Sequence, residues 1–213
     1  MPRRVLPPPP PPVHLRTWPD RQALLSDRGT ALGELRRRHL GIHRLLLLWL
    51  CGVGGVIGWA LLTLPIRFLD AKDPLGFILT PVLALAGLAA LAPSVIGVVV
   101  GLRHDRRIRE LTEAWLALDS HPSSDARLRS PGLSLAWLLS SLAMCALGLW
   151  TSFAAAAYAE PGRETYTDVA LGMGTGLVLW LTGLLGAAKA VGHYRWALRR
   201  LGPALTASRA AHR

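Results

Sequence analysis

The chain has 213 residues, 51% of them hydrophobic, and a formal net charge of +11. An ordinary soluble domain is also about half apolar, so the distribution has to decide: charges are absent from four long blocks and crowded between them. The basic excess clusters beside those blocks, and this placement argues against nucleic acid as a partner.

Residues 1–44 read as a basic, Pro-rich arm. The six prolines Pro7 to Pro12 form neither helix nor sheet and favour a stiff polyproline II rod of roughly 19 Å. No Arg stands at the spacing that orients a proline-rich ligand, so the rod reads as a spacer. Val13 follows the run directly and offers an alternative start in a gene of high GC content. After Pro19, Asp20 is placed to cap a short helix through Leu25, and Thr30 a second one through Leu40. Leu32, Leu35 and His39 share a face beside Arg36, Arg37 and Arg38, a pattern expected to lie on the inner leaflet.

The four uncharged blocks are Leu45 to Leu64, Phe77 to Leu102, Leu133 to Tyr158 and Val169 to Ala188. A bilayer core about 30 Å thick is crossed by about 20 helical residues, and each block reaches that length. The predicted fold is therefore an all-α integral membrane protein, a bundle of four transmembrane helices at 45–64, 77–102, 133–158 and 169–192. The spans hold small residues at helical spacing: Gly54 and Gly58 with Cys51 and Gly55, then Gly97 and Gly101, then Ser141, Cys145, Gly148 and Ser152, then Gly172, Gly176, Gly183, Gly186 and Ala190. Such faces let helices approach closely. Their simplest use is packing within one bundle, and the sharper one is homo-oligomerisation. Pro93 near the middle of the second span predicts a kink. No Asp, Glu, Arg or His lies in the middle of a span, which speaks against a proton relay or ion pump. Lys189, the one charge inside an apolar block, stands near its end and is expected to snorkel. Cys51 and Cys145 fall at different depths, so no disulfide is expected.

Between the second and third spans, Ile108, Leu111, Trp115 and Leu118 recur on one helical face, so 103–132 is expected to begin with an amphipathic helix extending the span to about Ser120. Arg106 with Glu110 and Arg109 with Glu113 stand four apart, at the spacing of helical ion pairs. The tail 193–213 repeats the plan, with Tyr194, Ala197, Leu198 and Leu201 on one side and a stop at Gly202-Pro203. The shared plan of the two hairpins also raises an old duplication as one origin.

Nine Arg precede the first span, six lie between the second and third, and five follow the fourth, while the loops at 65–76 and 159–168 hold only Arg67, Lys72 and Arg163. Basic residues beside spans stay inside, so both termini are expected in the cytoplasm of a multi-pass cell-membrane protein. Absent Asn and scarce Lys are the residue usage of a GC-rich genome, as in many actinobacteria, so the Arg excess carries no functional meaning by itself.

Two sets of side chains have chemistry to offer. His39, His43, His104 and His193 stand near the inner ends of spans, where metal or haem ligation is conceivable. Asp70, Asp73, Glu160, Glu164 and Asp168 lie in or beside the outer loops, but their spacing matches no cation loop. Neighbouring arginines disfavour the first set, and solvation explains the second. No nucleophile, metalloprotease or phosphate-loop motif occurs. The reading assigns no catalytic, cofactor-binding or metal residues, no cofactor and no enzymatic activity. It expects a membrane adaptor or regulatory subunit, with a small homo-oligomeric transport or channel component as the alternative. Expected partners are the bilayer, anionic inner-leaflet headgroups and a cytoplasmic protein. Green fluorescent protein fused after Arg213 should fluoresce, and alkaline phosphatase should be active when inserted in 65–76 and inactive when inserted in 120–130; the reverse pattern would invert the topology.

Overall fold

In hydrocarbon, a chain satisfies its backbone N–H and C=O groups only by folding into helices or a closed barrel. The computed structural model describes residues 6–12, 14, 18–70, 74–119, 131–159 and 166–211, with the backbone alone at 39–40, 67, 69–70, 74–75, 131 and 196–211. Five long helices carry these residues: α1 (Arg21–Leu40), α2 (Ile42–Asp70), α3 (Pro74–Leu116), α4 (Pro131–Ala157) and α5 (Tyr166–Ala211). Four helical stretches are long and apolar enough to cross a membrane; three contain their uncharged blocks, and the third in chain order ends at Ala157, one residue short of Tyr158. Among the described residues there is no strand.

Helix ends follow local chemistry. Asp20 is the N-cap of α1 and accepts from the Ala23 amide at 2.7 Å, as its position predicts. Pro74 and Pro131 open α3 and α4, where a missing N–H costs nothing because the first turn has no acceptor for it. α3 runs unbroken from the second apolar block to Leu116.

Two expected breaks do not occur. Thr30 starts no second helix; it sits inside α1, and its hydroxyl donates to the Ser26 carbonyl at 3.1 Å. A Thr already inside a helix satisfies itself by this back-bond and has no amide to cap. α5 likewise passes through Gly202-Pro203 to Ala211. One proline removes one backbone bond, and the following Ala204, Leu205, Ala207, Ala210 and Ala211 include the strongest helix formers.

The chain divides into two units. The span unit comprises Leu45–Val100 and Ala136–Ala190, and the arm unit comprises Met1–Arg44, Gly101–Leu135 and Val191–Arg213.

In the span unit, glycines bring helices to backbone contact. A Cβ on Gly58 would lie 2.7 Å from Leu91 Cγ and 2.9 Å from the Gly87 carbonyl oxygen, which joins α2 to α3. A Cβ on Gly148 would lie 2.5 Å from Trp180 N and 2.6 Å from the Gly176 carbonyl oxygen, which joins α4 to α5. Gly52 and Gly55 of α2 face Thr182 and Val178 of α5, and Gly174 of α5 takes the Trp59 indole. Contacts thus run α3–α2–α5–α4. Trp59 Nε1 donates to the Ala170 carbonyl at 3.3 Å, Ser152 Oγ to Met173 O at 3.3 Å, and Cys145 Sγ to Trp180 O at 3.6 Å. Thr63, Thr80, Ser94, Thr151 and Thr182 return their hydroxyl protons to carbonyls of their own helices. Both cysteines are free; Cys51 lies against Gly97.

Outward faces are greasy. Phe77, Ile78, Leu85, Trp150 and Phe153 are each about 70% exposed. Only 6% of the most apolar stretch of α3 is buried, against 28% for α4. Water tolerates no such contiguous surface on a monomer, whereas acyl chains do. Lys189 is held within the unit, its Nζ 4.9 Å from the centroid of the buried Trp137 ring. A cation over an indole face is stabilised by about 0.5–2 kcal/mol, so the charge gains from protein as well as from any reach toward water.

Close approach predicts opposite signs for two glycine substitutions. Gly148→Leu should destabilise by about 1–3 kcal/mol through overpacking. Gly101→Ala, with nothing within 4 Å of its Cβ position, should stabilise by about 0.5–1 kcal/mol. Thermal unfolding in detergent, followed by circular dichroism, measures both.

Candidate functional site

The arm unit contains an antiparallel helix pair made from two apolar stripes. On α3, Ile108 and Trp115 are buried and Leu111 is half-buried, with Leu118 just beyond the helix. These are the alternating three- and four-residue steps that keep one face on a partner. On α1, Ala31, Leu32 and Leu35 supply the matching face; Leu35 and Ile108 are each 1% exposed. Leu6 and Trp18 pack on the same cluster. The stripe Leu32, Leu35, His39, expected to rest on lipid, therefore buries its two leucines against protein; the His39 side chain lies outside the described residues.

Arg28 lies on that stripe too, four residues before Leu32 and seven before Leu35. It is 1% exposed, and its Nε donates to the Trp115 carbonyl at 3.4 Å. Trp115 stands one residue from the end of α3, where the helix dipole is negative, and its carbonyl also accepts from the Leu118 amide at 3.4 Å. A guanidinium there caps α3 from a neighbouring helix while its methylene stem fills the interface. Further along, Arg21 grips Asp119 with two bonds, Nε–Oδ2 at 2.7 Å and Nη2–Oδ1 at 3.2 Å. The Asp119 hydrogen bond first, and its charge second, raise the Arg21 pKa above its ordinary value. This pair is open to water, so it contributes geometry more than stability. The spacing-predicted pairs Arg106/Glu110 and Arg109/Glu113 do not close among the described residues; all four side chains stand exposed, and Glu34 with Arg38 forms the helical pair instead, at 2.7 Å.

The proline arm joins the same surface. The Trp115 indole Nε1 donates to the Pro8 carbonyl at 3.2 Å, and the Trp18 indole Nε1 to Asp27 Oδ2 at 3.1 Å. One indole thus meets the extended segment at Pro8, and Leu6 at its start packs on the cluster.

Among the described side chains the histidines form no ligand cluster. His43 is exposed, His104 half-buried and His193 buried. Among the described residues, no three His, Cys, Asp or Glu side chains gather as a metal site. Of the outer acids, Asp168 is half-buried, and the side chains of Asp70, Asp73, Glu160 and Glu164 lie outside the described residues. Sequence reasoning missed Arg28, Arg21 with Asp119, and Pro8 on Trp115. Only Arg28 left a signal, by sitting in phase with the leucines.

Leu35→Ala should loosen the helix pair by about 2–5 kcal/mol, because it opens a cavity in a closed cluster. Hydrogen exchange of the amides of 21–40 should accelerate correspondingly, while Asp119→Asn, which breaks an exposed ion pair, should leave it within twofold.

No protein-family model matches the chain, and neither a curated protein nor a solved structure matches it.

Proposed function

We propose that the chain is a non-enzymatic adaptor or regulatory subunit of the bacterial cell membrane, multi-pass, with both termini in the cytoplasm. The observation that carries this reading is the arm unit's own apolar core, Ala31, Leu32, Leu35, Ile108 and Trp115, assembled from polar, basic sequence outside the spans. A chain that served only to cross lipid would need no second core. The alternation of basic segments supports the orientation. Arg37, Arg103, Arg106, Arg107, Arg109 and Arg195 are exposed, and arginines beside spans are attracted to anionic headgroups by about 1 kcal/mol each. These interactions would hold the platform at the inner leaflet, where a cytoplasmic protein meets it.

The competing reading is a transport or channel component that assembles through its glycine faces. Gly54, Gly58, Gly148, Gly172, Gly176, Gly183 and Gly186 all meet neighbours within one chain, which leaves those faces less free for a second copy and speaks for the adaptor.

Purified protein in liposomes should pass neither ions nor small solutes. Affinity purification from native membranes should recover a cytoplasmic protein that is lost when residues 1–40 are deleted. Reproducible flux from the reconstituted protein would overturn the adaptor reading in favour of the channel.

A further inference from the structure

The proline arm is seated along part of its surface. Leu6, Pro7, Pro10 and Pro11 are half-buried, while Pro8, Pro9 and Pro12 are exposed. Polyproline II turns once every three residues, so Pro7 and Pro10 lie on a half-buried edge of the rod, Pro9 and Pro12 on an exposed one, and Pro8 and Pro11 on a third that is exposed at Pro8 and half-buried at Pro11. Burial of one edge at that period is how aromatic grooves read P-x-x-P segments. The polar contact fits as well. A polyproline helix makes no internal hydrogen bonds, so the Pro8 carbonyl is available, and the Trp115 indole N–H reaches it at 3.2 Å. The Trp115 residue is 6% exposed, and a buried indole N–H left without an acceptor would be destabilising. Leu6 at the start of the rod packs on the helix-pair cluster.

The geometry points to the Trp115 face of the arm unit as a recognition site for a polyproline II segment, occupied in cis by residues 6–12 and open to a proline-rich segment of a partner protein only when that arm leaves. The cis latch stands on the contacts above; its use by a partner rests on the adaptor reading. Tethering explains why the arm holds the site. A ligand on a short linker competes at an effective concentration of order millimolar, which a free segment of modest affinity does not match. A rigid rod also loses little conformational freedom on docking, so even a small contact surface retains it. The latch therefore sets a threshold that only a longer or better-fitting proline-rich ligand crosses.

The test uses the full chain in detergent, a variant lacking residues 2–12, and a fluorescein-labelled peptide LPPPPPP, the sequence of residues 6–12, with binding read by anisotropy. The peptide should bind the shortened variant and bind the intact chain at least about tenfold more weakly. Alanines at the peptide positions of Pro7 and Pro10 should weaken binding about fivefold or more, whereas alanines at those of Pro8 and Pro9 should change it less than twofold. Trp115→Phe in the shortened variant keeps the ring but removes the donor, and should weaken binding about three- to tenfold. If the shortened variant fails to fold, the full-length P7A/P10A chain takes its place and should bind the peptide more tightly than the intact chain does. Absence of binding to a folded, unlatched chain, equal binding with and without the arm, or indifference to which prolines are replaced would each overturn the site. The adaptor reading fails separately, if no membrane partner is recovered while the peptide behaves as described.

Discussion

A helix surrounded by acyl chains gains no hydrophobic free energy by exchanging lipid for another helix. What remains is dispersion and polar contact at short range, and both fade within an ångström or two. Backbone-to-backbone approach at glycine is therefore the constraint on which the span unit depends. Gly58 against Gly87 sets α2 on α3, and Gly148 against Gly176 sets α4 on α5. Once those backbones touch, Ser152 reaches the Met173 carbonyl and Cys145 the Trp180 carbonyl. Trp59 fits over Gly174 because no side chain stands there, and its indole finds the Ala170 carbonyl nearby.

The arm unit obeys the rules of a domain in water. Its helix pair is held by burial of five apolar side chains, and its polar groups mark the edges of that pair. Arg28 is the informative member. A guanidinium is seldom buried without partners, because losing its hydration is unfavourable unless hydrogen bonds replace it. Placed at the last turn of α3, it shares the Trp115 carbonyl with the Leu118 amide. One residue thus ties the end of one helix to the side of the other, and the tryptophan whose carbonyl it meets offers its indole to the proline arm. Helix pairing and arm docking share one residue, which makes the platform a coupled piece of architecture.

Much of this was readable beforehand. Uncharged blocks place the long apolar helices: α4, Pro131–Ala157, matches its block closely, and α3 contains its own and runs on to Leu116, because charge is excluded from hydrocarbon whatever the packing. The stripe Ile108, Leu111, Trp115, Leu118 faces inward as its period requires. Other expectations failed for physical reasons. Thr30 has the chemistry of a cap, but a helix already under way satisfies it internally. Gly202-Pro203 has the chemistry of a stop, but the alanines beyond it outweigh one lost bond. Arg106 with Glu110 has the spacing of an ion pair, yet exposed charges on long side chains gain too little to stay together. The contact of Pro8 with Trp115 joins residues 107 positions apart, and no local pattern reports such a pairing.

The sequence by itself determined the helices, their apolar faces, and the basic segments that make an inside-facing orientation the favoured one. Each of these follows from properties summed along the chain: length of uncharged runs, period of apolar residues, count of arginines. Tertiary structure alone decided what covers each face. A leucine stripe gains similarly from a membrane surface and from another helix, so Leu32 and Leu35 read the same in both settings until Ile108 and Trp115 are seen against them. A glycine stripe serves a neighbour in the same chain as well as one in another copy, until Gly87 and Gly176 are found in place. The proline run is a rod in any setting, and only the position of one indole N–H distinguishes a free spacer from a docked ligand.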